Sequence, residues 1–263
     1  MITSTGNQKV KRLVNLKKKR KARDEEGVFL VEGIRMFREV PAGRLAEAYV
    51  SESFYNKEGS TVGRVLGGSR IRPEILSDQV YAYVSDTKTP QGVLCVVRQK
   101  MYTLAQAAGG ERAHVLVLDN LQDPGNMGTV IRTAEGAGVT GIIMSSDCVD
   151  VYNPKTIRST MGSVYRMALY RTEDIAGAVR WMKERGIHTY AAHLDGMLSY
   201  DEPDYTKPCA FFIGNEGNGL REEIAGMADT YIRIPMEGQV ESLNAAIASA
   251  VLMFEAARQR RQQ

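Results

Sequence analysis

Three short segments concentrate the side chains that could do chemistry. The first, LDNLQDPGNMGTVIR at 118–132, is an apolar run that opens into a Pro-Gly turn and then a helical pattern. Its glycines allow backbone to approach a ligand closely, while Asn126 and Arg132 add an amide and a guanidinium. The second, FFIGNEGNGL at 211–220, runs an apolar strand into a glycine loop around Glu216. A carboxylate there can accept from ribose hydroxyls, and the neighbouring amides can hold a nucleoside. The third, IPMEGQVESLN at 234–244, ends a strand at Pro235, loops through Gly238 and starts a helix at Ser242 or Asn244. Each group also has a purely structural use: Asn126 and Ser242 as helix caps, Arg132 in a surface ion pair, Glu216 on a solvated turn.

Other chemistries lack their anchors. There is no G-x-G-x-x-G after a strand and no G-x-x-x-x-G-K-[ST], which removes the usual marks of dinucleotide dehydrogenases, ordinary Rossmann methyltransferases and P-loop phosphotransferases. His114, His188 and His193 show no metal-ligand spacing, and no G-x-S-x-G elbow occurs. Cys95, Cys148 and Cys209 form no CxxC pair, so reduced thiols in the cytoplasm are expected. The longest apolar run, 245–254, is too short to cross a bilayer, and the N-terminus lacks the apolar core of a signal peptide.

A length of 263 residues with 43% apolar and 25% charged side chains favours two packed domains of ordinary globular composition. Residues 4–23 read as one helix ended by Gly27, and 28–31, 48–51 and 93–97 read as buried strands of a small α/β domain, separated by pieces such as the glycine-rich 59–69. A polar linker over 99–112 predicts a boundary near Gln106, giving domains 1–106 and 107–263. Beyond it strands at 115–118, 142–144, 189–192, 211–213 and 231–234 alternate with helical stretches such as 129–137, the rhythm of a mainly parallel sheet covered by helices. The last helix places Leu243, Ala246, Ile247, Ala250, Val251, Phe254 and Ala257 on a packing face and leaves Glu255, Arg258 and Arg260 to solvent. Nine basic residues and no acidic one fall within 1–23, so the net +3 conceals a positive end on an acidic remainder. Such a run is either a solvated helix face or a phosphate-tracking surface.

In this order and at these intervals, the three segments resemble the SpoU/TrmH family of S-adenosylmethionine-dependent RNA 2′-O-ribose methyltransferases. The family's motifs match at 126–132, 213–220 and 234–244, and NPKTIRSTMG at 153–162 is similar to its second helix start. ITS at 2–4, Asn7, Lys11, Leu13, FLVEGIR at 29–35 and TPQG at 89–92 are similar to the substrate-binding domain attached to many members. The resemblance implies a trefoil-knotted, parallel-sheet α/β methyltransferase domain behind a smaller, ribosomal-protein-like α/β RNA-binding domain, and a homodimer whose site is completed across the interface. It implies S-adenosyl-L-methionine as cofactor and catalytic roles for Asn126, Arg132, Glu216, Ser242 and Asn244. Cofactor contacts fall at Gly214, Asn215, Ile234, Pro235, Met236, Ser242 and Leu243. For RNA contact the basic end offers Lys11, Arg12, Lys17, Lys18, Lys19 and Arg20, joined by Arg35. The attached domain points to structured RNA, 23S ribosomal RNA over tRNA, and methyl transfer needs no metal. Two other readings stay open: a catalytically inactive RNA-binding protein of this fold, and a knotted enzyme that methylates a base nitrogen.

Overall fold

The structure is a computed structural model and describes residues 1–67 and 70–262. In chain order it runs α1 (Gln8–Lys18), α2 (Arg20–Glu26), β1 (Val28–Glu32), α3 (Ile34–Glu39), β2 (Leu45–Ser51), α4 (Glu52–Leu66), β3 (Glu74–Leu76), α5 (Asp78–Val84) and β4 (Val93–Arg98). There follow α6 (Leu104–Ala108), β5 (His114–Leu118), α7 (Pro124–Gly136), β6 (Gly141–Ser145), α8 (Pro154–Thr160), β7 (Leu169–Thr172), α9 (Ile175–Lys183) and β8 (His188–Ala192). The chain closes with β9 (Leu198–Ser199), β10 (Cys209–Ile213), α10 (Glu222–Ala225), β11 (Thr230–Arg233) and α11 (Ala245–Arg260). Two compact units result: Met1–Lys100 with Asp150–Tyr165, and Met101–Val149 with Arg166–Gln263. The single cut expected near Gln106 therefore differs from this grouping, in which residues 150–165 join the first unit. Tyr152 stacks on Phe29 there, and Asp150 pairs with the buried guanidinium of Arg23.

In the first unit a four-stranded sheet of order β1-β4-β2-β3 is covered by α1 and α5, with Val10, Leu13, Leu16, Leu76 and Tyr81 in its core. The helix expected over 4–23 is two helices broken at Lys19, which is extended at φ −115° and ψ 119°. The break turns Arg23 inward. It is 3% exposed, donates to the carbonyl of Lys17 at 3.2 Å, and meets Asp150 Oδ2 from Nε at 3.1 Å. Arg23 thus satisfies carbonyls that the end of α1 leaves open, and removing one partner of so buried a pair costs about 3–5 kcal/mol. Gly27 ends α2 in the left-handed region at φ 62°. The glycine-rich piece is helical as far as Leu66, while Gly68 and Ser69 lie outside the described residues.

In the second unit seven strands lie in the order β7-β6-β5-β10-β8-β11-β9, and every pairing is parallel. The central β5 and β10 are buried along their whole length, HVLVL against CAFFI, as expected of strands with helices on both faces. Phe211 and Phe212 point to opposite faces and are both 0% exposed, each stabilising the fold by about 2–3 kcal/mol. The expected polar linker folds in part: Thr103 and Gln106 form a reciprocal capping box on α6, which packs where Gly141 leaves no room for a Cβ against the Ala107 backbone. The helix after β5 begins at Pro124, earlier than the expected 129.

The last helix turns differently from expectation. Ala245, Ala246, Ser249, Leu252, Met253, Ala256 and Ala257 are buried, whereas Ile247 and Phe254 are 51% and 47% exposed. Glu255, expected in solvent, is tucked against Arg258 and Gln259, which donate to its carboxylate. Arg260 is also turned inward. Its guanidinium donates to the carbonyls of Arg112, Ala113, Tyr205 and Lys207 at 2.8–2.9 Å, fastening the end of α11 to the strand starts of β5 and β10.

Candidate active site

Because the strands run parallel, the residues that follow β5, β10, β8 and β11 all emerge at one edge of the sheet, where α/β folds place their ligands. The loop after β5 carries Asp119 to Asp123 into α7. Asp123 is the N-cap of that helix, accepting from the Asn126 amide at 2.8 Å, so Asn126 sits in the first turn and is not the cap. Its side chain is left for another use.

That use is a hydrogen-bonded chain across three loops. Asn126 Nδ2 donates to Glu216 Oε1 at 3.0 Å, and Asn244 Nδ2 donates to Asn126 Oδ1 at 3.2 Å. Glu216 also accepts from the backbone amides of Gln122 and Asp123 at 3.1 and 3.0 Å. Burial pushes the Glu216 carboxyl up, but the bonds from Asn126, Asp123 and Gln122 outweigh it and hold it below the usual glutamate range. Asn244 doubles as the N-cap of α11, its Oδ1 accepting from Ala246 at 2.9 Å. Residues 90 and 118 positions from Asn126 are thereby fixed to it.

The other expected residues fall around this chain in distinct ways. Arg132 is exposed on α7 and has no hydrogen bond or ion pair among the described residues, so its guanidinium is available to an incoming anion. Gly214 is required sterically: a Cβ there would lie 2.1 Å from Leu220 N. Asn215 braces its own loop, donating to the Asn120 carbonyl at 2.8 Å and accepting from the amides of Gly217 and Asn218. Ile234, Met236 and Leu243 are half-buried, while Pro235 and Ser242 are exposed. Among the described residues no backbone amide of 234–243 is hydrogen-bonded, which leaves donors free beside apolar side chains.

Sequence reasoning passed over Asp119, Gln122, Asp123 and Arg221. Asp119 is fully buried and takes Arg221 Nε at 2.9 and 3.0 Å on its two oxygens. The available signal was a carboxylate placed directly after an all-apolar strand, a position that demands a partner. The basic run, conversely, is largely engaged within the first unit. Arg12 pairs with Glu26 and Glu47, Arg20 with Asp24, and Lys17 donates to the Ser85 carbonyl at 2.9 Å. Lys11, Lys18, Lys19 and Arg35 have no such partner among the described residues and remain exposed.

Residues 113–254 match the model of the SpoU rRNA Methylase family, and residues 7–95 match an MRM3-like substrate binding domain. The chain is 32% identical over 253 residues to the 23S rRNA (guanosine(2553)-2′-O)-methyltransferase RlmP of Bacillus subtilis, covering 96% of this chain and 97% of that one. An AdoMet-bound rRNA methyltransferase from Sinorhizobium meliloti superposes with a TM-score of 0.86 at 32% identity, over 98% and 97% of the two chains. The SpoU methyltransferase AviRb from Streptomyces viridochromogenes, solved with AdoMet, gives 0.87 at 26% identity, over 97% and 98%. With its three motif loops joined at one sheet edge and more than half its length matched, the chain belongs to the SpoU rRNA methylase family.

Proposed function

We propose that this protein transfers the methyl group of S-adenosylmethionine to a ribose 2′-hydroxyl of ribosomal RNA, with 23S RNA as the substrate. The observation that carries the reading is the Glu216–Asn126–Asn244 chain, with Arg132 on the same helix as Asn126 and unpaired among the described residues, in a protein similar to an rRNA 2′-O-methyltransferase along nearly its whole length.

The loops fit an adenosine-bearing cofactor. The backbone packing enforced at Gly214 and the free amides of 234–243 offer hydrogen bonds, and Ile234, Met236 and Leu243 offer apolar surface for a base. Gly214, Asn215, Ile234, Pro235, Met236, Ser242 and Leu243 would hold it. When bound, S-adenosylmethionine supplies a methyl carbon made electrophilic by the sulfonium. The protein's part is then to place the ribose oxygen in line and to meet the charge that develops on it. Arg132 holds the phosphate next to that ribose and stabilises the developing alkoxide; a guanidinium has no lone pair free to take a proton, so the 2′-hydroxyl proton passes to solvent water as the methyl–oxygen bond forms and the methyl–sulfur bond breaks. Asn126 orients the RNA, Glu216 fixes Asn126, and Ser242 and Asn244 complete the pocket.

The first unit selects the RNA through Lys11, Lys18, Lys19 and Arg35, and the 2′-hydroxyl distinguishes RNA from DNA. On α11, exposed Ile247 and Phe254 flank half-buried Val251 at helical spacing, an apolar stripe that we assign to the interface of a homodimer that completes the site. The second unit is read as the trefoil-knotted form of the fold. Three buried free thiols fit a reducing, cytoplasmic setting.

Labelled cofactor incubated with unmodified rRNA and, separately, tRNA, followed by digestion to nucleosides, tests the reading. A 2′-O-methyl nucleoside from rRNA is expected. A methylated base, or RNA binding without product, overturns it. Sedimentation of the same preparation reads the dimer.

A further inference from the structure

The site residues stand on two loops that follow neighbouring strands, 119–123 after β5 and 214–220 after β10, and catalysis requires those loops to keep one mutual setting. Asn126 hangs from the first and Glu216 from the second. Near the sheet, these loops are joined by a contact that none of the motif residues makes. Asp119, 0% exposed, is the first residue past β5, and Arg221 is the first residue past the glycine loop. The carboxylate accepts Arg221 Nε on both oxygens, Nη2 on Oδ1, and the Arg221 backbone amide at 3.2 Å. The remaining nitrogen, Nη1, lies 3.5 Å from Asp147 Oδ2 on the loop after β6.

We infer that Arg221, forked onto buried Asp119, is a positioning residue for methyl transfer that sets the glycine loop against the start of α7. The inference rests on the methyltransferase reading given above. Three features support it. First, each loop is braced internally by other bonds. Asn215 closes the glycine loop onto Gly219, and the amides of Asn120 and Leu121 are held by Ser145 Oγ at 2.9 Å and Cys148 Sγ at 3.3 Å. Loss of Arg221 therefore leaves each loop formed and frees their relation to each other. Second, the remaining links between the loops are made by Asn215 to the Asn120 carbonyl and by Glu216 itself. The Glu216 links join exposed groups, whereas the Asp119 carboxylate is 0% exposed even though the Arg221 side chain is 42% exposed, so this link has one end wholly withdrawn from water. Third, the geometry uses what distinguishes arginine: a planar fork takes both carboxylate oxygens at once and fixes an orientation, which one ammonium cannot.

The contact leads to a specific kinetic signature. Asp119 and Arg221 touch neither the proposed cofactor groups nor Arg132, so substrate binding persists while the alignment of Asn126 and Glu216 is degraded. A displacement of about 1 Å at such a site costs on the order of a hundredfold in rate. R221K keeps the charge balance of the buried carboxylate, and hence the fold, but loses the fork; R221A loses both.

The test compares kcat and the KM values for S-adenosylmethionine and rRNA in wild type, R221K and R221A. Each is normalised to the folded fraction read by circular dichroism. The expected result is a graded fall in kcat per folded molecule, about tenfold for R221K and on the order of a hundredfold for R221A, with both KM values within about threefold of wild type. Unchanged kcat per folded molecule in R221K and R221A overturns the inference, because the pair is then only structural. A loss confined to either KM overturns it also. Inactive wild type overturns the methyltransferase reading on which it rests, a result distinct from active wild type with equally active variants.

Discussion

Replacing Glu216 by glutamine isolates the contribution of one charge to the order of the site. The carboxylate accepts three N–H groups, from Gln122, Asp123 and Asn126, all at 3.0–3.1 Å. Glutamine keeps the shape and one acceptor oxygen, but turns the bonds from charge-assisted to neutral and aims an NH2 group at one of its former donors. Hydrogen bonds to charged groups contribute about 1.5–3 kcal/mol against about 1 for neutral ones, and exposure of the loop discounts the difference. A net loss of about 2 kcal/mol in holding Asn126 follows, or roughly a thirtyfold drop in kcat. S-adenosylmethionine affinity should stay within about threefold, since Glu216 bonds to α7 and its entry loop. Initial rates of methyl incorporation into unmodified rRNA at saturating substrates, beside calorimetric cofactor binding, read both quantities. The pH profile supplies a sign. The Glu216 carboxyl is held below its ordinary range, so the order it confers is complete above the ordinary glutamate pKa and is lost only as pH falls through the depressed value. If E216Q turns over within twofold of wild type, Glu216 does not orient Asn126 and the hydrogen-bonded chain is incidental to catalysis.

Other perturbations probe different parts. R132A should abolish methyl transfer while leaving cofactor affinity within severalfold; full activity in the purified variant would remove Arg132 from the chemistry. Neutralising Lys11, Lys18 and Lys19 together should weaken rRNA binding and lower the slope of log affinity against log salt by about two to three, and an unchanged slope would return them to a solvated helix face. His114 is buried beside Phe211 with Nε2 unpartnered, and burial, aided by the Arg260 charge, pushes its pKa down to about 3. Its neutral form is favoured in the fold, so stability is full above the unfolded-state value near 6.5 and declines as pH falls towards 3, by up to about 1.4 kcal/mol per pH unit. H114F should flatten that decline in denaturant titrations at pH 4–7; an unaltered slope would assign it to other groups.

The strands of the site were legible because β5 and β10 are contiguous apolar runs that only a doubly covered sheet accommodates, and the loops because glycine and proline punctuate them. What spacing could not reveal is that Asn126, Glu216 and Asn244 would meet. Their contacts span 90 and 118 positions, and here the family pattern, not periodicity, pointed to them. The break at Lys19 was hidden because every residue from Asn15 to Glu26 suits a helix; it is the burial of Arg23 against Asp150 that wins. The inner face of α11 is not legible in the sequence because alanine, isoleucine, valine and phenylalanine circle the helix almost completely, so an apolar pattern does not single it out. Short β3, β7 and β9 leave no mark in the sequence because two to four residues carry too little period, and Arg171 in β7 reads as exposed. Of the basic end, composition showed the charge but not that carboxylates within the same unit neutralise much of it.

The inward turn of Arg260 has a consequence for how the enzyme comes into being. Asn244 reaches Asn126 from its place as the cap of α11, and α11 is anchored at its far end by a residue sixteen positions downstream that grips carbonyls laid down as early as Arg112. A nascent chain whose C-terminal stretch is still within the ribosome thus holds Asn126 and Glu216 without the anchored helix that presents Asn244. If Asn244 serves methyl transfer as proposed, activity waits until synthesis has passed Arg260, and the protein leaves the ribosome inert before it can modify ribosomal RNA.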